Sequence, residues 1–345
     1  MSDNAILAQT LIQLQQTKKP PEPEPEVEEN AYLSDVSPKD KPWDEHRASA
    51  DAIQEYYRDA GKWYGRYLRM QECAQWLAMA WVWEYEKWNH KLHDTRFCRV
   101  PGCPTCARQR ARMWVARMLK ALPELRAKYP TARWVFLSLT LRNCPVDELG
   151  ATLTAMSKAW DRFSRRKEFK PVLGWVKAVE VTKNHKTDYA HPHLHALLMV
   201  RPGYFGPYYV TQARYSELWQ ESLRVDYTPV VDVRAVKDKP EDLRRAIGEV
   251  LKYSLKPSDL ADDKEWFLSA MGQLFKRRLV MSGGVLKGIL RENEEARDEE
   301  MMLLDEGPRE SDEAKWIVYD WRREVKRYQR SKNKLVHERR SFHDV

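Results

Sequence analysis

Short stretches of strongly apolar or alternating residues in the middle of the chain predict β-strands. Successive side chains of a strand point to opposite faces, so alternation of apolar and polar residues indicates one buried face. Residues 134–141 are apolar at nearly every position, which is typical of a central strand. The other predicted strands are residues 175–182, 191–200 and 227–235.

Apolar residues spaced three and four apart predict helices before and between these strands. The helical segments are residues 43–88, 106–129, 149–169 and 239–256, the last of them stopped by Pro257. The short connection 183–190 returns the chain antiparallel to the strand before it. The sequence therefore predicts an α+β fold with a central antiparallel sheet, flanking helices and an N-terminal region that is mainly helical.

The two ends of the chain differ in composition from its middle. Residues 1–45 include Pro20-Pro21-Glu22-Pro23-Glu24-Pro25-Glu26, which has nothing apolar to bury and is expected to be disordered. Residues 266–290 are apolar and basic, 292–313 are densely acidic, and 316–326 fit a strand or a helix. The predicted regions are a tail (1–45), a helical cysteine-containing region (46–130), a sheet domain (131–258) and an accessory region (259–345).

The charge of the chain favours a polyanionic partner. Its 345 residues suit about two domains and include 59 Lys+Arg against 51 Asp+Glu, a net charge of +8. The acids are concentrated in two segments, so the rest is strongly basic and suited to nucleic acid. Because the sequence has neither a long apolar run nor the pattern of a signal peptide, we expect a soluble cytoplasmic protein without a membrane partner.

A cluster of cysteines predicts a structural zinc site. Cys98, Cys103 and Cys106 form a C-x4-C-x2-C run whose proline and glycine allow the thiolates to fold back on one ion. Zinc takes four ligands in such sites, so a fourth is required. Cys73 and His93 are both candidates for that position.

Three histidines within five residues predict a second metal site. His193 and His195 lie two positions apart on a predicted strand, so their side chains point the same way, roughly 7 Å apart at Cα. The antiparallel neighbour brings Glu180 beside them, and a carboxylate with two imidazoles suits Mg²⁺ or Mn²⁺. His191 adds an alternative pair, His191 with His193, although the position of the apolar run that follows favours His193 with His195.

These motifs together resemble those of rolling-circle plasmid replication initiators in the HUH endonuclease superfamily. The His-hydrophobe-His motif is His193-Leu194-His195, and Glu180-Val181-Thr182 resembles the segment whose glutamate completes the family's metal site. The Cys-Pro-x-Cys run with its arginine-rich helix is similar as well, and the resemblance covers about residues 33–290. It implies an HUH or RRM-like sheet, and DNA binding by Arg108, Arg110 and Arg112.

The run Glu-Val-Leu-Lys-Tyr-Ser-Leu-Lys, residues 249–256, resembles the catalytic helix of these initiators. The resemblance implies that Tyr253 is the nucleophile, which forms a 5′-phosphotyrosine bond and leaves a free 3′ hydroxyl as primer. Glu249 would activate water for the closing hydrolysis, and Lys256 would supply a positive charge. At helical spacing the three residues share one face.

The resemblance also implies partners. They are plasmid origin DNA, single-stranded or in a hairpin at the nick site, a host helicase and polymerase, and a second copy of the chain in a homodimer. A non-catalytic zinc-containing DNA-binding regulator would explain the charge and the cysteines but would leave the histidine strand without a role. A relaxase or transposase of the same superfamily is the other alternative, but relaxases usually place the tyrosine ahead of the histidines, and here Tyr253 follows them.

Overall fold

A computed structural model describes residues 23–84, 86–252, 255, 261–288 and 316–331. The described chain has the predicted α+β composition, and all the strand pairs in its two sheets are antiparallel. It forms two compact units, one containing a four-stranded sheet and the other a five-stranded sheet. No helix in the described ranges is both long and apolar enough to cross a membrane.

Helices and strands follow one another in a mixed order along the described chain. The helices are α1 Leu33–Val36, α2 Lys41–Asp59, α3 Tyr64–Gln71, α4 Pro104–Lys128, α5 Leu149–Phe163, α6 Gln212–Leu223, α7 Pro240–Val250 and α8 Lys264–Leu274. The strands are β1 Trp76–Glu84, β2 Lys87–Asp94, β3 Arg133–Thr140, β4 Val172–Lys183, β5 Ala190–Val200, β6 Val231–Val236, β7 Val280–Gly284, β8 Ile317–Arg322 and β9 Arg327–Arg330.

The five-stranded sheet has the order β6-β3-β5-β4-β7. Its central strand, β5, pairs with β3 on one side and β4 on the other, and its residues from His195 to Val200 are all buried. This confirms the predicted strands at 134–141, 175–182 and 191–200. The strand predicted at 227–235 begins later, at Val231.

Helices cover both faces of this sheet. One face packs against α4 and α7, where Met118 and Ile247 join Phe136, Val176 and Leu197 in a buried cluster. On the other face, Trp160 of α5 contacts Trp175 of β4, and the indole N–H of Trp219 in α6 donates to the carbonyl of Thr140. Alternation along the strands therefore decides which helices each side chain meets.

The four-stranded sheet has the order β2-β1-β8-β9. The apolar spacing predicted a helical segment over residues 43–88. That prediction is wrong from Trp76 onwards, because β1 begins at Trp76 and continues to Glu84. A short apolar run fits a helix and a buried strand equally well, and pairing with β8 decides between them. The same pairing shows that residues 317–322 form a strand, which the sequence left open.

The structure differs from the regions expected at the ends of the chain. Helix α1 begins at Leu33, which is fully buried, and α2 begins at Lys41, so helical structure starts before residue 45. Strand β7 completes the five-stranded sheet, whereas β8 and β9 belong to the other sheet. The region 259–345 is therefore divided between the two sheets, and its acidic stretch 292–313 lies outside the described residues.

Candidate functional site

Strands β4 and β5 bring the predicted metal ligands to one face of the sheet. Their register places Glu180 opposite His193 and Ala178 opposite His195. Side chains opposite each other in an antiparallel pair share a face, and so do residues two apart on one strand. Val176 and Leu197 have the same parity and pack against α7, so Glu180, His193 and His195 point to the α7 side.

Glu180 is buried, 6% exposed, and is held by two nitrogen donors. One carboxylate oxygen, Oε2, lies 3.0 Å from Nε2 of His195 and 2.9 Å from Nζ of Lys252. Burial alone would raise the pKa of Glu180, but the hydrogen bonds from His195 and Lys252 outweigh it and lower the pKa to about 2. Glu180 is therefore ionised at neutral pH.

His193 and His191 lie next to this pair. The ring centroids of His193 and His195 are 6.0 Å apart with nearly parallel planes, and those of His191 and His193 are 3.9 Å apart. Burial, reinforced by the neighbouring His191, lowers the pKa of His193 to about 4. His193 is thus neutral at pH 7, the state in which imidazole binds a metal.

The three predicted ligands do not form a closed ligand set in this structure. Among the described residues, only a group of cysteines has three or more metal-binding side chains whose ligand atoms all lie within 4.8 Å of one another. The side chain of His195 is hydrogen-bonded to Glu180, and the ammonium group of Lys252 supplies positive charge beside the carboxylate. The donors, two imidazoles and one carboxylate, fit a divalent cation in chemical type.

Lys252 is the residue at this site that the sequence did not single out. Lysine is common on helix surfaces, and the one available signal was its position directly before Tyr253. On the other side of Tyr253, Leu255 forms a parallel β-bridge with Val181, the neighbour of Glu180. The chain on both sides of Tyr253 therefore contacts β4 at the predicted metal ligand.

The predicted catalytic helix is shorter than expected. Helix α7 ends at Val250, and its C-cap Leu251 is fully buried. The pattern predicted a helix to residue 256 because the next proline is Pro257, but Leu255 instead makes the β-bridge to β4, a tertiary contact with no local signal. Tyr253 and Lys256 lie outside the described residues, and because α7 ends at Val250, helical spacing no longer supports the face that they were predicted to share with Glu249.

Glu249 lies in the last turn of α7, and its side chain is 39% exposed. Its Oε1 accepts from the guanidinium of Arg234 on β6 at 3.2 Å, and that guanidinium lies over the ring of Phe136, 4.6 Å from its centroid. Glu249 is thus held by Arg234 and remains accessible to water. Neither contact had a signal in the sequence.

The arginines predicted to bind DNA lie in the first turns of α4. Arg108, Arg110 and Arg112 are each half-buried, and Arg108 and Arg112 both contact the side-chain oxygen of Gln109. Part of their hydrogen-bonding capacity is used within the protein. Binding of DNA by these three residues stays a prediction.

The four cysteines predicted as zinc ligands lie together. Cys73, Cys98, Cys103 and Cys106 are fully buried, and their sulfur atoms lie within 4.8 Å of one another. Two backbone N–H groups donate to them, Cys98 to the sulfur of Cys73 and Arg99 to that of Cys106. Four thiols at this spacing fit a tetrahedral structural zinc site, with Cys73 as the fourth ligand.

The turn at Gly102 suits the four-cysteine group, and His93 and Cys144 lie outside that group. Gly102 adopts a positive φ of 80°, and a Cβ there would lie 2.7 Å from the sulfur of Met271, so glycine allows the tight turn before Cys103. The ring of His93 lies against that of Trp316, with centroids 4.0 Å apart, and His93 is not in the group. Cys144, the fifth cysteine, is also outside it.

We expect about one zinc ion per chain to remain after dialysis, because four thiolates bind zinc tightly at neutral pH. Elemental analysis of the purified chain measures this ratio. Cys106→Ser should lower both the zinc content and the melting temperature, while Cys144→Ser should change neither strongly. A folded chain that contains no zinc would contradict the prediction.

Comparison with known proteins identifies the family. The replication protein family (Rep_1) matches residues 89–329. "Protein rep" from Streptococcus pneumoniae serotype 2 (strain D39) is 32% identical over 256 residues, 73% of this chain and 79% of that protein. "Protein rep" from Lentilactobacillus hilgardii is 30% identical over 305 residues, 84% of this chain and 95% of that protein. No solved structure matches the chain significantly. The chain belongs to the replication protein family, which confirms the resemblance to plasmid replication initiators that its motifs indicated.

Proposed function

We propose that this protein nicks one strand of a plasmid origin in a metal-dependent reaction and starts rolling-circle replication from the free 3′ hydroxyl. The observation that carries the proposal is the contact of Glu180 with both His195 and Lys252. Lys252 directly precedes Tyr253, so the segment with the proposed nucleophile is attached to the strand with the proposed metal ligands. The bridge from Leu255 to Val181 supports the same placement from the other side.

The metal ligands in this proposal are Glu180, His193 and His195. These residues would hold Mg²⁺ or Mn²⁺, which would supply Lewis-acid chemistry at the scissile phosphate. The protein contributes a rigid antiparallel pair that keeps the ligands on one face, with His193 neutral at physiological pH. The five-stranded antiparallel sheet and its covering helices agree with the HUH-like architecture implied by the resemblance.

The cleavage step is a transesterification. The hydroxyl oxygen of Tyr253 attacks the phosphorus, the bond from phosphorus to the 3′ oxygen breaks, and the 5′ phosphate becomes bonded to the tyrosine. The tyrosine loses a proton and the departing 3′ oxygen gains one, so charge and atoms balance. The pKa of a free tyrosine is near 10, and we propose that the positive charge of Lys256 helps to stabilise the phenolate.

Glu249 has a separate role in termination. We propose that it takes a proton from water, which then attacks the phosphorus of the DNA at the closing cleavage; the bond from phosphorus to the 3′ oxygen breaks, the 3′ oxygen gains a proton, and no second phosphotyrosine bond forms. Its exposed carboxylate, held by Arg234, supports access to water. The same chain can thus form a covalent link at the start of a replication round and avoid a second one at the end.

The first prediction from the proposed function concerns the ligands of the divalent cation. The double variant His193→Ala/His195→Ala should abolish nicking of a supercoiled plasmid carrying the cognate origin, in the presence of Mn²⁺, while DNA binding persists. The reason is that both imidazole ligands are lost but the DNA-binding surface is not. Gel assays of nicking and electrophoretic mobility shifts measure the two properties.

His185→Ala is the matched control, because His185 is an exposed histidine in the turn between the same two strands. It should nick at the wild-type rate, and a chelator should abolish nicking in both the control and the wild-type protein. Undiminished nicking by the double variant would remove the histidine pair from the mechanism.

The second prediction separates the role of Tyr253 as nucleophile from the role of Glu249 as the base that activates water. Tyr253→Phe should bind origin DNA but form no covalent adduct, because it lacks the oxygen that becomes bonded to phosphorus. Glu249→Ala should form the adduct at a rate close to wild type but lose the final hydrolysis, and replication should therefore yield multimeric single-stranded products. Denaturing gels of single-stranded origin DNA and of plasmid replication products measure these outcomes.

Glu241→Ala, at an exposed glutamate in the first turn of the same helix, is the control for loss of a helix-surface charge. It should behave as wild type in both assays. Equal loss of initial nicking in Glu249→Ala and Tyr253→Phe would reassign Glu249 to the first step, as a metal ligand or as the base for the tyrosine.

The third prediction concerns Lys252, whose ammonium group contacts the carboxylate that the metal requires. Lys252→Met should bind Mn²⁺ about fivefold more tightly, because a half-exposed ion pair worth about 1 kcal/mol no longer competes with the cation. The same variant should nick more slowly, because the segment before Tyr253 is no longer attached to Glu180. Titration calorimetry with Mn²⁺ measures the affinity independently of activity.

Lys252→Arg keeps the positive charge and is the matched control, with an expected Mn²⁺ affinity close to wild type. If Lys252→Met and wild type bind Mn²⁺ equally, the ion pair does not compete with the metal. If Lys252→Met also nicks as fast as wild type, Lys252 has no part in positioning Tyr253.

A further inference from the structure

The loop between β5 and α6, residues 201–211, exposes large aromatic rings. Tyr208 is 59% exposed, Tyr209 is 62% exposed and Phe205 is 39% exposed. Aromatic residues are among the side chains that gain most from burial, and a cluster of exposed ones marks a contact surface. These three residues are distinct from the proposed metal ligands and from the segment around Tyr253.

The backbone of this loop is held in place although its rings are exposed. The N–H of Tyr208 donates to the carbonyl of Gly203, and that of Tyr209 donates to Gly206, both at 3.1 Å. A Cβ at Gly203 would lie 3.3 Å from the Tyr208 ring, so glycine allows the ring to pack over the turn. The neighbouring Tyr204 is buried. The exposed rings are therefore presented on a fixed turn, which reduces the entropic cost of binding.

Three exposed cations lie at the same end of the sheet as this loop. The register of the sheet places Arg133 of β3 opposite Val200, and Arg201 follows Val200 directly. The N–H of Arg201 donates to Pro171, which brings Lys170 to the same end of the sheet. Arg133, Lys170 and Arg201 are all exposed, and the guanidinium of Arg133 lies 5.4 Å from the ring centroid of Phe205.

Acidic side chains do not balance these cations within the loop. Residues 201–213 contain no aspartate or glutamate. The nearby Glu168 is already paired with Arg214, whose guanidinium lies 3.1 Å from it and also contacts Glu217. Aromatic rings with cations around them match a strand of unpaired nucleotides, because each nucleotide offers a base to stack and a phosphate to neutralise.

We propose that this surface, consisting of Phe205, Tyr208, Tyr209, Arg133, Lys170 and Arg201, binds single-stranded DNA outside the cleavage site. Bases stack on the tyrosine rings, and phosphates contact the three cations. The surface lies at the end of β5 opposite to the histidines, seven residues or roughly 23 Å along the strand from His193. It would hold the DNA strand without touching the scissile phosphate.

The choice of DNA over a protein partner follows from the charge. A protein that covered this surface would bury three cations, which is costly unless acids meet them. A nucleic acid strand supplies a negative charge at every nucleotide. The inference relies on the proposed function for the class of polymer, DNA, and not for cleavage or for the metal.

The test is the affinity of the full chain for a fluorescein-labelled oligothymidylate of about 16 nucleotides, measured by fluorescence anisotropy without added metal. This probe has no origin sequence and forms no hairpin, so binding is measured apart from recognition and cleavage. Tyr208→Ala/Tyr209→Ala should bind at least about tenfold more weakly, because two stacking rings are lost. Tyr208→Phe/Tyr209→Phe keeps the rings and should bind like wild type.

The cations give a second and independent measurement. Arg133→Met/Arg201→Met should reduce the slope of log affinity against log salt by about 0.7 for each arginine, because fewer counterions are released from single-stranded DNA. Both arginines are exposed, so this variant decides the question even if the tyrosine variant does not fold. Tyr64→Ala, at a tyrosine 49% exposed on α3, controls for loss of a surface ring and should bind like wild type.

Wild-type oligothymidylate affinity in a folded Tyr208→Ala/Tyr209→Ala variant would overturn the inference. So would an unchanged salt slope in Arg133→Met/Arg201→Met. A change of oligomeric state in the tyrosine variant without a change in DNA affinity would assign the loop to contacts between copies of the chain instead. If the loop variants lose affinity but the wild-type protein does not nick origin DNA, the inference stands and the proposed cleavage function fails.

Discussion

The ionised carboxylate of Glu180, buried on one face of the five-stranded sheet, is the group on which the arrangement of the candidate site depends. Removing a carboxylate from water costs several kcal/mol unless cationic or hydrogen-bonding partners meet it. Here His195 and Lys252 meet the same oxygen, at 3.0 and 2.9 Å. One partner is on the neighbouring strand and the other follows α7, so the charge connects two parts of the fold.

This charge balance supports the divalent cation that we propose at the site. The pKa of Glu180 is lowered to about 2, and the neighbouring His193 is neutral because burial lowers its pKa to about 4. An anionic oxygen near the neutral imidazole of His193 attracts positive charge, which Lys252 supplies in this structure. A divalent cation provides more charge and takes nitrogen donors as well, so we propose that it takes over part of the role of Lys252.

The proposed functions are distributed along the five-stranded sheet according to the rigidity that each needs. Cleavage demands ligands positioned within a fraction of an ångström, and Glu180, His193 and His195 lie on paired strands in the middle of the sheet. Holding a DNA strand demands exposed rings and charge, and the loop after β5 provides both at the opposite end. The strand β5 thus connects the proposed cleavage site with the proposed DNA-binding surface.

The sequence by itself determined the α+β class, the three central strands, the pairing of Glu180 with the histidines, and the grouping of Cys98, Cys103 and Cys106, whereas the choice of Cys73 over His93 as the fourth ligand of the cysteine site came from the tertiary structure. The features that the sequence determined depend on residues close together in the chain, whose periodicity and spacing can be read directly. The tertiary structure decided that residues 76–84 form a strand, that α7 ends at Val250, and that Lys252 contacts Glu180. Each of these depends on a partner distant in the chain, β8 for the strand and β4 for the segment after α7, and a contact between distant residues leaves no periodic trace in the sequence.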